Sequence, residues 1–261
     1  MTKNICAKLR KQSPLIHCIT NPISIMQCAN AVLLSGARPI MAEHPAEVEE
    51  ITESASALLL NFGNVTKDRL KAMTLSYFVA MDCGIPVVID AVGVGCSELR
   101  RNIIKKLLCK RNPDVPMVIK GNYSEIKALT CEDYRSSGVD ADKKLTFKEI
   151  TACAKELGDR LGVIVVATGK KDIVTDGARF AVIENGTKKL GSITGTGCML
   201  GAMCAAFLAV EADIGSIVKA VSAFGICGEK AEGDLFLMRL FDAIEALNDK
   251  EIEERMKVKW T

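Results

Sequence analysis

Short runs of consecutive apolar residues alternate with longer segments of helical periodicity along the chain as far as Thr168. The runs are apolar at successive positions, which is typical of parallel strands covered on both faces. They predict strands at residues 15–19, 38–42, 57–61, 86–90, 117–120 and 163–167. Helical periodicity predicts helices at residues 23–34, 67–83, 97–110 and 146–161. These repeated units predict an α/β fold with a doubly wound, mostly parallel central sheet and helices on both faces.

After Thr168 the pattern changes to short β-like runs and then to helices. Strands are expected at residues 172–175, 180–184 and 189–193. Asp176-Gly177 and Asn185-Gly186 are turn sequences, and the Asn-Gly pair predicts a hairpin in this stretch. Helices are expected at residues 199–210, 214–230, 236–247 and 250–257. Because no linker, repeat or low-complexity segment interrupts the pattern, we expect residues 1–261 to form a single domain.

The charge balance argues against one class of partner. Thirty-four Lys and Arg residues oppose 32 Asp and Glu residues, a net charge of +2, which does not favour nucleic acid or an anionic membrane. The longest apolar helical stretch, residues 199–210, is shorter than the roughly 20 residues of a membrane span. The N-terminal segment is polar and basic and lacks the apolar core of a signal peptide. We therefore expect a cytoplasmic protein that binds neither nucleic acid nor membrane.

Eleven cysteines raise the question of disulfides or zinc. No two of them form a C-x-x-C pair, and His17 and His44 are not spaced to complete a metal site. Most of the cysteines lie within apolar runs, where a free thiol packs as a small apolar group. The expectation is reduced cysteines and no structural zinc.

Polar residues follow the predicted strands at the edge of the sheet where α/β proteins bind their ligands. They are Asn21, Glu43-His44, Asn61 with Gly63 and Asn64, Asp90 with Gly93 and Gly95, Lys120-Gly121-Asn122, and Thr168-Gly169. Taken singly, each is also explained as a turn residue or a helix cap. Asp90 and Lys120, however, end strongly apolar strands, where a charge needs a partner. A bound phosphate–metal unit would supply that partner.

The sharpest local signal is Thr194-Gly195-Thr196-Gly197-Cys198, which precedes an apolar helix. Glycine-rich turns let backbone N–H groups approach a ligand, and the first turn of a helix has unpaired N–H groups at its positive end. This combination predicts an anion hole for a phosphate. The alternative is that the glycines only permit a tight turn and that Cys198 only packs. Walker A, dinucleotide-binding and G-x-S-x-G motifs are incomplete or absent.

Several distinctive segments occur along the chain: LIHCITN at residues 15–21, PIMA at 39–42, LLN at 59–61, PVVID at 86–90 with VGVG at 92–95, IKGN at 119–122 and TGTGC at 194–198. Their order and spacing resemble those of hydroxyethylthiazole kinases. From about Pro14 to about Phe241 the chain resembles this family. The resemblance implies a ribokinase-like fold and transfer of the γ-phosphoryl of ATP to the hydroxyl of 4-methyl-5-(2-hydroxyethyl)thiazole, a salvage step toward thiamine. It also implies a homotrimer with active sites at the subunit interfaces.

The resemblance further implies roles for individual residues. Gly195, Thr196 and Gly197 would cradle the transferring phosphate, and Cys198 stands where the wider superfamily places an aspartate base. Because phosphoryl transfer proceeds largely by positioning and charge stabilisation, a modest base is sufficient. The other matches are Lys120 and Thr168 to ATP, Met41, Gly195 and Asn21 to the thiazole alcohol, and Glu125 and Asp90 to Mg²⁺, with Asp90 acting through water.

The chain departs from the family pattern at a few positions. Lys120 stands where Arg is usual, which keeps the charge and loses the bidentate fork. Ala91 replaces a common Pro, and Lys170-Lys171 adds positive charge beside the expected nucleotide site. Three other functions stay open: a kinase of another hydroxymethyl heterocycle such as the pyrimidine precursor of thiamine, a non-catalytic nucleotide-binding module, and a nicotinamide oxidoreductase. A substrate panel and a test of NAD(P)H binding separate them.

Overall fold

A sheet of nine strands forms the centre of the protein in the computed structural model, which describes residues 4–136, 138 and 145–261. Its parallel strands are β1 Leu15–Ile19, β2 Arg38–Ile40, β3 Ala57–Asn61, β4 Val87–Asp90, β5 Met117–Asn122 and β6 Ile164–Thr168. The antiparallel strands are β7 Asp172–Thr175, β8 Phe180–Ile183 and β9 Val258–Trp260. Their order across the sheet is β2-β1-β3-β4-β5-β6-β7-β8-β9. Every pairing from β2 to β6 is parallel, as the sequence predicted.

Helices cover both faces of this sheet. They are α1 Ile5–Gln12, α2 Ile25–Leu34, α3 Val48–Glu53, α4 Lys67–Cys83, α5 Glu98–Cys109, α6 Tyr123–Thr130, α7 Phe147–Leu161, a 3-10 helix at Leu190–Ser192, α8 Thr196–Val210, α9 Ile214–Lys230, α10 Phe236–Glu245 and α11 Asp249–Arg255. Neighbouring strand residues enter different cores: Leu59 packs with residues of α2, α8 and α9, whereas Leu58 and Leu60 pack with residues of α4, α5 and α7. The predicted α/β fold with two covered faces is confirmed.

The predicted strand at residues 189–193 is wrong, because Leu190–Ser192 forms the 3-10 helix. The free edge of β8 that such a strand would occupy is paired with β9 instead. The predicted hairpin at Asn185-Gly186 is also wrong, because the segment that follows this turn is the 3-10 helix and not a strand. The Asn185 side chain instead accepts a hydrogen bond from the Lys257 N–H at 2.7 Å. That bond joins the turn to the C-terminal segment. A hairpin does form between β7 and β8, and it turns through Asp176-Gly177.

Two general expectations can be compared with the described residues. All eleven cysteines are free, and five of them (Cys6, Cys18, Cys28, Cys204 and Cys227) are buried. Among the residues that the structure describes, no helix has both the length and the apolar character needed to cross a membrane.

Helix α8 is the element that positions the glycine-rich turn. Its residues are apolar on all sides, and nearly every one from Met199 to Leu208 is fully buried between α2, α9 and the sheet. Only the N-terminus of α8 reaches the edge of the sheet. Because close-packed neighbours enclose the helix, we expect its first turn to hold a fixed position at that edge.

Candidate functional site

The polar residues predicted to lie together do lie side by side at the carboxyl edge of the sheet. In the strand register, Asn61 is opposite Asp90, and Asp90 is opposite Lys120. Further along the same edge, Asn122 is opposite Thr168. The edge is therefore a continuous row of amide, carboxylate, ammonium and hydroxyl groups above an apolar core.

At the centre of the row, Asp90 and Lys120 form a buried ion pair. The Lys120 Nζ lies 2.9 Å from Asp90 Oδ1, and the two side chains are 4% and 0% exposed. Burial by itself lowers the pKa of the Lys120 ammonium, but the Asp90 carboxylate outweighs it, and the pKa is raised above its ordinary value. Lys120 is therefore a cation at any physiological pH. Because desolvation offsets the attraction within a buried ion pair, the pair adds little net stability to the fold.

A chain of side-chain amides leads from the ion pair to the thiol of Cys198. Asn61 is fully buried and donates through Nδ2 to Asp90 Oδ2 at 3.0 Å. Asn61 Oδ1 accepts from Asn21 Nδ2 at 3.2 Å and from the Gly63 N–H at 2.8 Å. The Asn21 Nδ2 also donates to Cys198 Sγ at 3.3 Å. The sequence placed all three residues at or beside the ligand-binding edge, but a role in the site was expected only for Asn21 and Cys198.

Glycines bring the N-terminus of α8 close to the ion pair. Gly195 precedes the helix with a φ of +96°, which strains any other residue, and a Cβ there would also displace the Gln27 side chain, whose Oε1 lies 2.1 Å from that position. A Cβ at Gly197 would lie 3.7 Å from Lys120 Nζ, and one at Gly201 would lie 3.1 Å from Asp90 Oδ2. The first-turn N–H groups of α8 therefore open beside the Lys120 ammonium, and both attract an anion.

Three predicted residues have contacts that limit what their side chains can do. The Thr196 hydroxyl is buried and donates to the Leu190 carbonyl at 2.6 Å. Thr196 therefore contributes its backbone, and not its hydroxyl, to the glycine-rich turn. The Thr168 hydroxyl is half-buried and donates to the Gly121 carbonyl at 3.3 Å. Met41 is half-buried and packs against the core that contains α8.

Glu125 joins the loop after β4 to the start of α6. Its Oε1 accepts from the Gly93 N–H at 2.8 Å, and its Oε2 accepts from the Asn122 N–H at 2.7 Å. Asn122 and Glu125 thus form a capping box at the N-terminus of α6. Burial raises the pKa of Glu125 to about 7; the Asp90 charge adds to this rise, while Lys120 and the two N–H donors oppose it. A cation in this region would lower the free energy of the ionised Glu125.

The oxygen donors at this edge fit Mg²⁺ held through water. No group of three His, Cys, Asp or Glu side chains able to hold a metal ion occurs within residues 4–136, 138 and 145–261. Mg²⁺ in nucleotide sites, however, binds one or two carboxylates, substrate phosphates and several waters. Each oxygen of Asp90 and Glu125 already accepts a hydrogen bond, which favours contact through water for both.

Other polar residues near the site were missed by the sequence reading. Asp172 accepts from the Gly169 N–H at 2.9 Å, and burial raises the pKa of its carboxyl to about 7. His17 and Arg69 are both buried and contact the loop that carries Met41. The one signal for His17 is a polar residue within an apolar strand, and nothing in the local pattern distinguishes Arg69.

Comparisons with known proteins agree with one another. The model of the hydroxyethylthiazole kinase family matches residues 6–250. Hydroxyethylthiazole kinase 2 of Clostridium botulinum (strain Hall) is 42% identical over 261 residues, covering 96% of both chains. The solved structure of a hydroxyethylthiazole kinase protein from Pyrococcus horikoshii OT3 is 31% identical with a TM-score of 0.87, over 98% of this chain and 97% of the other. A ribokinase-like superfamily protein from Enterococcus faecalis V583 is 14% identical with a TM-score of 0.68, over 96% and 89% of the two chains, which shows a shared fold.

Proposed function

Because the chain belongs to the hydroxyethylthiazole kinase family, we propose that this kinase transfers the γ-phosphoryl of ATP to the hydroxyl of 4-methyl-5-(2-hydroxyethyl)thiazole in thiamine synthesis. The observation that carries the proposal is the position of Lys120. Its buried ammonium lies beside Gly197 in the first turn of α8, next to the thiol of Cys198. This arrangement suits a phosphoryl group that is transferred to an alcohol held at the thiol.

Charge stabilisation is the main task assigned to these residues. In the transition state of phosphoryl transfer, negative charge is spread over the equatorial oxygens. The N–H groups at Gly197 and Cys198 and the Lys120 ammonium would donate to those oxygens from positions set before the substrate binds. Gly195 and the Thr196 backbone complete the turn. Lys120 and Thr168 would contact the nucleotide.

Orientation of the alcohol is assigned to Cys198, Asn21, Gly195 and Met41. Since Asn21 donates to the Cys198 sulfur, the sulfur is held in place with one lone pair left to accept a hydrogen bond from the substrate hydroxyl. The thiol would orient the hydroxyl through this bond as the alcohol oxygen attacks the γ-phosphorus and the bond from that phosphorus to ADP breaks, with the hydroxyl proton passing to water or to a phosphate oxygen.

Mg²⁺ is the metal that we assign to this site, with Glu125 and Asp90 as its acidic residues, both through water. When bound, Mg²⁺ would neutralise part of the negative charge of the phosphate groups. The raised pKa of Glu125 supports this assignment, because Lys120 and the two N–H donors do not fully compensate the cost of burying its charge.

We also propose a cytoplasmic single-domain enzyme that assembles as a homotrimer with sites at its interfaces. Large apolar side chains are exposed on the neighbouring helices α2 and α10 and just before each of them: Ile23 67%, Met26 59%, Leu33 56%, Leu235 66% and Met238 59%. Exposed apolar patches of this kind are typical of protein interfaces. Gln27 of α2 donates to the Thr194 carbonyl at 3.2 Å, so this surface adjoins the glycine-rich turn.

Light scattering after gel filtration tests the assembly. Wild type should elute with three times the mass of the chain, and a Met26→Glu, Met238→Glu double variant should dissociate and lose activity together. A monomeric wild type would contradict the trimer.

The activity is tested by ADP release with ATP, Mg²⁺ and the thiazole alcohol, followed by mass spectrometry of the product. We expect a thiazole monophosphate. Turnover of the hydroxymethylpyrimidine alone would replace the substrate and keep the kinase. ATP binding without turnover across a panel of alcohols would contradict the proposed reaction.

A further inference from the structure

The residues that follow Met41 are held from two sides by side chains outside the glycine-rich turn. We define the Met41 segment as residues 41–44, between β2 and α3. From the interior, the fully buried His17 of β1 bonds through Nε2 to the Ala42 carbonyl at 2.9 Å. From the other side, Arg69 of α4 binds the carboxylate of Glu43. Two consecutive residues after Met41 are thus fixed by different elements.

The His17 contact has a defined direction. The Ala42 carbonyl can only accept, so Nε2 carries the proton. Burial lowers the pKa of His17, and its Nδ1 lies 2.9 Å from the Thr52 hydroxyl. Thr52 belongs to α3, and its hydroxyl donates to the Val48 carbonyl at 2.6 Å. His17 therefore connects β1 both to the Met41 segment and to the helix that follows it.

The Arg69 contact is a bidentate fork. Its Nε lies 2.8 Å from Glu43 Oε2 and its Nη2 lies 3.0 Å from Glu43 Oε1. The remaining nitrogen, Nη1, donates to the carbonyl of Asn64 in the loop after β3. The Arg69 side chain is 8% exposed. A forked, largely buried arginine fixes orientation as well as distance, so it joins the loops after β2 and β3 into one wall.

We infer that His17 and Arg69 are positioning residues that hold Met41 against the alcohol substrate and thereby set the affinity for that alcohol. The inference rests on the proposed function, in which Met41 contacts the thiazole alcohol. A methionine side chain has three rotatable bonds and adapts readily to its surroundings. Met41 can therefore define one wall of a pocket only if its backbone is fixed from outside, which reduces the ordering required when the alcohol binds. Neither His17 nor Arg69 bonds to the ion pair or to the turn that would hold the nucleotide.

Arg69→Gln tests this role by removing the fork while keeping a polar side chain. We expect the KM for the alcohol to rise roughly tenfold, with the KM for ATP and the kcat changed less than about twofold. Hydrogen exchange should accelerate at residues 41–47 and not in α8. Arg69→Lys should be intermediate, because an ammonium cannot form the fork. Arg179→Gln is the matched control, since Arg179 pairs with Asp176 on the exposed β7–β8 turn; it should change none of these values.

Faster exchange with an unchanged KM for the alcohol would overturn the inference, and so would unchanged exchange at residues 41–47. A rise in both KM values would show a general loss of structure and would also overturn it. If Arg69→Gln does not fold, Glu43→Gln removes the same ion pair from its 44% exposed side. Failure of wild type to phosphorylate the thiazole would instead count against the proposed function. The positioning role of His17 and Arg69 is then tested by hydrogen exchange and by the KM for whichever alcohol is turned over.

Discussion

The Nδ2 of Asn21 lies 3.3 Å from the Sγ of Cys198, and the direction of this hydrogen bond is set by the Asp90 carboxylate. That carboxylate only accepts, so Asn61 must present its NH₂ group to Asp90 and its oxygen to Asn21. Asn21 then presents its own NH₂ group to both Asn61 and the sulfur. The sulfur is therefore the acceptor in this bond, and the S–H points away from Asn21.

The first prediction concerns Asn21→Ala. Because the variant removes the donor that orients the sulfur, we expect kcat to fall about tenfold. In a Cys198→Ala background the same change should have little further effect on kcat, since the group that Asn21 orients is already gone. A steady-state double-mutant cycle measures this. Two fully independent losses would show that Asn21 acts on the substrate and not through Cys198, and a Cys198→Ala variant with full kcat would exclude a role for the thiol.

The second prediction separates the two tasks of Lys120. Lys120→Met leaves the Asp90 carboxylate buried without its cation, which costs about 3–5 kcal/mol of folding free energy. Adding Asp90→Asn should restore most of that stability, because no charge then remains buried. Turnover should stay at least about a hundredfold below wild type in both variants, since the cation beside the transferring phosphoryl is lost. Urea unfolding measures the folding free energy of each variant, and kcat measured on the same samples gives its turnover. Recovery of turnover in the double variant would restrict Lys120 to a structural role.

The third prediction is a pH dependence of stability from Glu125. Its pKa is about 7 in the folded protein against 4.5 ordinarily. Between these values the folded state holds a proton that the unfolded state has released. The contribution of Glu125 is thus fully present below pH 4.5, falls as pH rises, and is lost above pH 7, a change of up to about 3 kcal/mol.

Urea unfolding of wild type and Glu125→Gln at pH 5 and pH 8 measures the effect. The stability of wild type relative to the variant should decrease from pH 5 to pH 8 when no divalent cation is present. Mg²⁺ with a nucleotide should reduce this decrease, because a nearby cation favours the ionised carboxyl. Equal differences at the two pH values would mean that the Glu125 carboxyl titrates near its ordinary value.

The sequence predicted the fold and the edge of the site for a simple physical reason. Apolar runs and helical periodicity are local properties, and parallel strands all end at the same edge of the sheet, so Asn21, Asp90 and Lys120 were found together. Contacts between distant segments were not predictable in this way. Asn21 and Cys198 are 177 positions apart, and the Arg69–Glu43 fork joins two loops with no shared motif. The strand wrongly expected at residues 189–193 shows the same limit, because β9 arrives from the far end of the chain to take its place.

Glu125 has two roles that are compatible with each other. The family resemblance assigns it to the magnesium site, and in the structure it forms a capping box with Asn122 at the N-terminus of α6. A carboxylate held by two backbone N–H groups is fixed in direction, which a water-mediated metal contact requires. Capping of α6 by Glu125 is therefore compatible with a role of the same carboxylate in metal binding.

The last prediction compares two glycines of α8. A Cβ at Gly197 would lie 3.7 Å from Lys120 Nζ, an ordinary contact, whereas a Cβ at Gly201 would lie 3.1 Å from Asp90 Oδ2 and would force a shift. We expect Gly197→Ala to fold at least as stably as wild type, because alanine favours a helix by about 1 kcal/mol over glycine. Its turnover should nevertheless fall about tenfold or more, since the new methyl group occupies the space beside the ammonium where the phosphoryl group would lie. Gly201→Ala should lose stability and turnover together. Thermal melts and kcat for the two variants test this contrast, and full activity in a stable Gly197→Ala protein would show that no phosphate binds at the first turn of α8.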